Sequence, residues 1–329
     1  MTQDIFGLTD VDYRENPYRT LRDFAWKRIG DQVRGIAIGC PRQVQLGTQG
    51  ELPLLAYHSD SLKELKRAPF DHAVVVGVEL EHGLLRAALA EPDESAGPPS
   101  EGEPQPGFAG MEHLIDLRTT LGLHWAPGTW RVVVLLRERC SNLVTVRLER
   151  DERAFVDPEV ERYQALQRLP WKALSPLPLP GAPWARLGPT EGSPPVPEAP
   201  GLELRAAERV VPLRPGATAP LRVAFRLPVS REGIPRGGLE VAGLDRTARA
   251  FAPVWLVLLG SQTPGPVVLP LHVPSFEPAE GPEGVGFAEV DLLGIAALAS
   301  RPQTWFCYAF SGEWMAGPAV VAFVDGEGT

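Results

Sequence analysis

The sequence predicts an all-β chain organised as two tandem β-sandwich domains related by internal duplication. Three observations carry that expectation. First, the chain repeats itself: residues 116–147 slide by 175 positions onto 291–322 without a gap, and eight of the thirty-two positions are identical. Asp116, Leu117, Leu123, Pro127, Thr129, Trp130, Glu138 and Val146 match Asp291, Leu292, Leu298, Pro302, Thr304, Trp305, Glu313 and Val321. Long-range self-similarity of this kind marks duplicated units. Second, the repeated stretch reads as strand, polar connection, strand. Residues 130–136 are rich in Val and Leu, 137–142 are polar, and Val144, Val146 and Leu148 alternate with Thr145 and Arg147. A period of two gives a strand one buried and one wet face. Third, the 33 Gly and 35 Pro follow no collagen-like period and fall mainly in turns and in two segments.

An aromatic enters the penultimate strand of each copy just after a turn, Trp130 behind Pro127 and Trp305 behind Pro302. That resembles the corner of immunoglobulin-like sandwiches. The expected fold is therefore two tandem immunoglobulin-like β-sandwich domains, with a short N-terminal helix and a Pro-rich connector.

Taken in order, residues 1–30 form an N-terminal helical segment. Asn16-Pro17 caps and starts a helix, and Tyr18, Leu21, Phe24, Ala25 and Ile29 give it an apolar stripe. It is expected to plug the end or flank of the first sandwich. Residues 31–150 are that sandwich, with strands at 33–38, 43–46, 52–57, 73–80 and 84–89 and a helical turn at 61–67. Inside it, residues 91–107 carry five carboxylates and no basic residue. They cannot bury enough apolar surface to offset ordering entropy, so a disordered acidic loop is expected. Residues 151–201 are a helix opened by Asp157-Pro158, then a polyproline-type connector partly laid against a domain surface.

Residues 202–329 are the second sandwich. Its strands are expected at 203–205, 210–211, 220–227, 239–241, 252–259, 267–273 and 285–292, followed by a hairpin whose connection runs through 312–318. Leu46, Pro53 and Leu54 match Leu213, Pro220 and Leu221 at an offset of 167, and Phe70 matches Phe251 at 181. The changing offset places length variation in the loops.

The functional reading is mostly exclusion. A net charge of -9 argues against nucleic acid and anionic membrane as partners. No apolar run approaches the roughly 18 residues of a membrane span, and residues 1–13 carry no secretory signal pattern. Cys40, Cys140 and Cys307 form no spaced motif; they read as reduced thiols of a cytoplasmic protein, with Cys307 as core filler. Only Lys27, Lys63, Lys66 and Lys172 are lysine, which together with abundant Ala, Gly and Pro points to a GC-rich bacterial source. Nucleophile-elbow, zincin, phosphate-loop and Cys-x-x-Cys signatures are absent.

The histidines are weighed as metal ligands and set aside. His58 is near Asp60, His72 and His82 flank a strand with Glu79 and Glu81, and His113 follows Glu112, but only His272 lies in the second copy. No metal and no cofactor are expected. Glu138 and Glu313 could suggest a glycosidase pair, but their matched hairpin positions read more simply as a repeated turn contact.

The candidate binding residues are those of the two hairpin connections: Arg137, Glu138 and Arg139 in the first copy, and Glu313, Trp314 and Met315 in the second. Trp314 and Met315 at a loop tip would have the composition of an interface anchor. The expected role is a non-catalytic binding, adaptor or structural subunit, joined to a protein partner or to further copies of itself. The alternatives are a carbohydrate-active or metal-dependent enzyme with an interdomain cleft, and a subunit of a larger phage-like or secretion assembly.

Overall fold

Alternating apolar residues oblige each strand to bury one face, and in each half of the chain two sheets bury theirs together. The computed structural model describes residues 5–15, 34–46, 50–81, 83–91, 108–123, 126–150, 185–228, 239–240, 247–248, 250–276, 283–295, 298 and 301–326. It divides into two compact units, Met1–Trp171 and Lys172–Thr329, and is nearly all β.

The first unit contains β1 (Gly35–Gly39), β2 (Gln43–Leu46), β3 (Pro53–Ser61), β4 (Val74–Glu79), β5 (Leu85–Leu89), β6 (Phe108–Asp116), β7 (Gly128–Leu136), β8 (Arg139–Cys140) and β9 (Val144–Arg150). A small sheet runs β1-β3-β6 and a large one β2-β9-β7-β4-β5, with β8 paired to β7. Ile36, Ile38, Leu54, Ala56 and Ile115 of the small sheet share one buried cluster with Val75, Trp130, Val132, Val134 and Val146 of the large one. That shared core makes the pair of sheets a sandwich.

The second unit contains β10 (Ala185–Leu187), β11 (Gly201–Ala206), β12 (Val210–Leu213), β13 (Pro220–Pro228), β14 (Leu239–Glu240), β15 (Thr247–Ala248), β16 (Ala250–Gly260), β17 (Pro266–Ser275), β18 (Glu283–Asp291), β19 (Gln303–Ser311) and β20 (Trp314–Asp325). Its sheets run β10-β18-β13-β11 and β12-β20-β19-β16-β17, with β14-β15 a separate ribbon. Leu202, Val223, Phe225 and Val290 share a core with Val254, Leu256, Trp305, Cys307 and Val321. Burial pushes the Cys307 thiol up to about 12, so this sulfur packs as an inert apolar group.

The two units agree in strand order and in register. Pro53 pairs with Asp116 as Pro220 pairs with Asp291; Glu79 pairs with Trp130 as Gly260 pairs with Trp305; Trp130 pairs with Val146 as Trp305 pairs with Val321. Even the parallel pairing recurs, Gln43 with Arg147 and Val210 with Ala322. A carboxylate clips the same place in both. Asp116 Oδ1 accepts from the Leu52 and Arg118 amides at 2.9 and 3.1 Å, and the Leu117 amide donates to the Leu52 carbonyl at 2.9 Å. Asp291 Oδ1 accepts from the Ala219 and Leu293 amides at 2.8 and 3.1 Å, and the Leu292 amide donates to the Ala219 carbonyl at 3.0 Å.

Both faces of the central strands of the large sheets, β4 and β7 in one unit and β16 and β19 in the other, are largely buried, whereas Thr145 and Arg147 of β9 are exposed. Val74, Val76, Val133 and Leu135 lie opposite the core side in the first unit, and Val257, Tyr308 and Phe310 in the second. This is why β16 and β19 read as unbroken apolar runs rather than alternating ones. The outer face of each small sheet is covered by chain that leads into the matched strands β1 and β11. In the first unit Phe6, Leu8 and Tyr13 pack on Ala37, Leu55, Tyr57 and Leu114. The helix Asp10–Glu15 there starts at Thr9, whose amide donates to Asp12 Oδ2 while the Asp12 amide donates back to Thr9 Oγ1 at 3.4 Å, a reciprocal cap. In the second unit polar clamps do the covering. Arg226 Nε donates to the Pro197 carbonyl at 2.7 Å, while Arg222 Nε and the Thr190 hydroxyl donate to Glu289 at 2.7 and 3.0 Å. Burial alone would raise the Glu289 pKa, but those bonds and the charges of Arg222 and Arg186 outweigh it and hold the carboxyl below its ordinary value.

Several expectations change. The strand β6 was not foreseen, and β10 lies within the stretch read as connector, paired antiparallel to β18. The connection after β19 is not 312–318: it is the two-residue turn Gly312-Glu313, closed by Ser311 opposite Trp314, with Gly312 at φ 53. The helical turn near 61–67 is present as Leu62–Arg67, capped by Ser61. The expected helices from Asn16 and Asp157 and most of the acidic loop 91–107 lie outside the described residues. Cys40, Cys140 and Cys307 are free thiols. No helix among the described residues is long and apolar enough to cross a membrane.

One edge has its own chemistry. Strand β17 ends its sheet, and Pro266, Pro270 and Pro274 stand opposite Leu259, Trp255 and Phe251. All three share one parity, so the N–H groups they lack would point away from β16. Proline is tolerated in a sheet in this position.

If the aspartate clips fix the fold as the geometry indicates, Asp116→Ala and Asp291→Ala each lower the stability of their own unit by about 1–3 kcal/mol, because the first frees the amides of Leu52, Arg118 and Thr119 and the second those of Ala219 and Leu293. Hydrogen exchange read separately over the two units checks this; loss below about 0.5 kcal/mol in either would contradict it.

Candidate functional site

The inward face of β3 changes character along its length. Leu54 and Ala56 belong to the apolar core, and the same face continues with His58 and Asp60. On β6 the corresponding row runs Ile115, His113, Met111. The register sets Ala56 opposite His113 and His58 opposite Met111, which makes the two imidazoles diagonal neighbours on one face. They are 1% and 8% exposed. Phe70, in the short 3-10 turn Phe70–His72, stacks on His113 at 3.8 Å with 5° between the planes, and lies 6.1 Å from His58. Nε2 of His113 is buried and finds no hydrogen-bond partner among the described residues.

Burial first, and the Arg139 guanidinium second, lower the His58 pKa to about 4. Burial and then the His58 charge lower that of His113 to about 4, against a smaller opposing pull from Asp71. Both rings are neutral at pH 7. The Phe70 face would favour a cationic ring by roughly 0.5–1 kcal/mol, too little to offset removal from water.

Above the rings sits an ion cluster. Arg139 binds Asp60, whose side chain is 14% exposed, and approaches Glu64 at 4.0 Å. Arg67 Nη1 lies 3.4 Å from Glu64 and 3.8 Å from Glu138. Thus Glu138 and Arg139 are tied to the helix Leu62–Arg67, while Arg137, half-buried in the turn between them and β7, adopts φ 55. It occupies the position that Gly312 holds in the second unit, the residue type such a backbone prefers.

The same end of the second unit is apolar. At the matched offsets His58, Asp60, His113 and Arg139 become Phe225, Leu227, Ala288 and Trp314. Phe225, Leu227 and Ala288 belong to the core, with Trp314 packed against it. Met111 becomes Gly286, where any Cβ would collide with the Phe225 ring. The exchange is concerted: an imidazole pair under an ion pair in one unit, and in the other the Phe225 ring over a glycine with Trp314 packed on the same core.

Trp314 and Met315 therefore do not sit at a loop tip. They open β20, half-buried, opposite Ser311 and Phe310, because the two-residue turn lets pairing resume at once. Glu313 is the exposed residue of that turn. Each trio is brought together by its own hairpin, Arg137, Glu138 and Arg139 in one unit and Glu313, Trp314 and Met315 in the other.

The meeting of His58 with His113 was missed. The 175-residue offset applied to β18 predicts a strand at 108–116 and, with it, this pair. Chemically the site can accept and release protons and can hold opposite charges in place. Among the described residues no group of three His, Cys, Asp or Glu is arranged to hold a metal.

Arg139→Met is expected to destabilise the first unit by about 1–3 kcal/mol, since it strands the sheltered Asp60 carboxylate. Glu138→Gln should cost less than about 0.5 kcal/mol, as exposed pairs contribute little. Equal effects in urea unfolding read from first-unit hydrogen exchange would contradict this ranking.

No family model matches the chain, and no curated protein matches it. Among solved structures, the crystal structure of a serine-rich repeat adhesion glycoprotein from Streptococcus agalactiae aligns over 88% of this chain and 97% of that one, at 8% identity and a TM-score of 0.16. A likeness at that TM-score carries no argument about fold or function.

Proposed function

We propose that the chain is a non-catalytic binding, adaptor or structural subunit of the bacterial cytoplasm. In this reading two immunoglobulin-like domains, spanning 31–150 and 202–329 and descended from one duplicated ancestor, offer different end surfaces to protein partners or to further copies of the chain. Support for the ancestry comes from registers that coincide strand by strand. Support for the immunoglobulin-like assignment comes from a three-strand sheet ordered first, third and sixth, facing a sheet that ends in a hairpin beside the fourth strand.

One observation carries the functional reading. The skeleton is held constant at the β7–β8 and β19–β20 turns, while the chemistry there switches from charged to apolar in several positions at once. Packing needs alone would not call for both solutions in one chain, whereas two surfaces for two binding tasks would. The binding residues in this reading are Arg137, Glu138 and Arg139 on one hairpin and Glu313, Trp314 and Met315 on the other.

Immobilised full-length protein, exposed to native lysate, tests it. Arg137→Ala/Glu138→Ala and Glu313→Ala/Met315→Ala should each remove a different subset of captured proteins, or shift the sedimentation coefficient if the partner is another copy. Identical capture and sedimentation for wild type and both variants would sink the proposal. Trp314→Ala that lowers the melting temperature by several degrees yet leaves all capture intact would assign that residue to the core alone.

A further inference from the structure

We propose that the His58–His113 end of the first unit is an acid-operated latch, closed at neutral pH and opened by proton uptake, while the second unit stays shut. The geometry carries this independently of any partner. Two imidazoles lie on one inward face, in diagonal register, with the Phe70 ring stacked on one of them and a buried Nε2 that no described residue satisfies. Placing a proton on either ring puts a cation into the sandwich beside its neighbour and beneath Arg139.

The charged groups around the pair come from every element packed there: Asp60 on β3, Glu64 and Arg67 on the helix Leu62–Arg67, Asp71 on the 3-10 turn, and Glu138 and Arg139 on the hairpin. Glu112 and Tyr57 lie on the opposite face of the small sheet. Asp60, the nearest carboxylate along β3, is already engaged by Arg139, so it offers little compensation to a protonated His58. Cys40 and the apolar core residues close the other side. Asp71 pulls only weakly on His113, so an imidazolium is stabilised far better by water, and reaching it requires this end to open.

The direction follows from linkage. Both rings bind protons more weakly in the closed unit than when exposed, each falling from the ordinary 6.5 to about 4. The open form therefore takes up protons that the closed form refuses between those values. Closure is fully favoured above pH 6.5 and loses that advantage as pH falls toward 4. Each histidine shifts the opening equilibrium by up to about tenfold per pH unit within that window.

The second unit supplies the control. The matched positions there hold the non-titrating Phe225 and Ala288, the Phe225 ring filling space that Gly286 leaves open; His58→Leu/His113→Ala removes both titrating rings while asking for no such space beside Met111. Hydrogen exchange of the full chain, corrected for intrinsic rates, should be followed from pH 7 to pH 5 over 57–61, 62–72 and 110–114. The strands 220–228 and 283–291 serve as internal reference. Wild type should lose at least tenfold protection at the first set and little at the reference, and the double variant should lose neither. Equal loss at both sets, or an unchanged pH profile in the double variant, would overturn the latch. Should that variant fold poorly, an NMR titration of the wild-type histidine ring protons decides: either ring titrating near 6.5 with no change in its surroundings overturns it.

Discussion

A β-strand has no intrinsic address along its neighbour, and a slip of one residue turns its inner face outward. In this chain the address is written by a carboxylate. Asp116 and Asp291 receive the amides that precede β3 and β13, and the residue after each aspartate returns a bond to the carbonyl of that same residue, Leu52 or Ala219. This fixes β3 against β6 and β13 against β18 at one end, and everything along those strands inherits the setting. Tyr57 and Leu55 face the N-terminal cover because of it. His58 and His113 face the core for the same reason. Moving the register by one would place both imidazoles in a different environment altogether, so the candidate site is as much a property of the aspartate as of the histidines.

With registers held in common, the differences between the units become informative. A core position tolerates several apolar side chains of suitable volume, but an aromatic and an imidazole are not exchangeable in isolation: one fills space, the other brings polar atoms that ask for partners. Here the neighbours change together. Gly286 makes room for Phe225, Ala288 accommodates it, and Trp314 with Leu227 takes the place of Arg139 with Asp60. Each end is internally consistent, and a mixture of the two would be frustrated.

Much of this was legible from residues alone, and the omissions have physical causes. Self-similarity exposed both hairpins, and apolar runs exposed β4, β7, β16 and β19, because strands buried on two faces announce themselves by composition. Strand β6 escaped because its two faces carry Gly110, Glu112, Met111 and His113, so no alternation of apolar and polar survives. Strand β10 escaped because three residues in a proline-rich stretch hold no pattern; its pairing is supplied by β18, about a hundred positions away. Trp314 reads as a loop residue because Gly312 precedes it and Gly317-Pro318 follow it. The better cue was Gly312 alone, whose backbone lets a two-residue turn close. The imidazole pair required knowing which strands are neighbours, which composition cannot state.

The prolines of β17 bear on how the molecule behaves in company. A sheet margin normally offers a full row of donors and acceptors, and a foreign segment can extend it like an added plank. On this margin the nitrogens of Pro266, Pro270 and Pro274 have nothing to offer, so an incoming segment meets a gap at alternate outward amides. The corresponding margin of the first unit, β5, holds Leu85 and Leu89 where two of those prolines would fall. Crowding therefore threatens the two halves unequally: intermolecular sheet growth is refused along the second and has to be resisted on the first by the brevity of a five-residue strand.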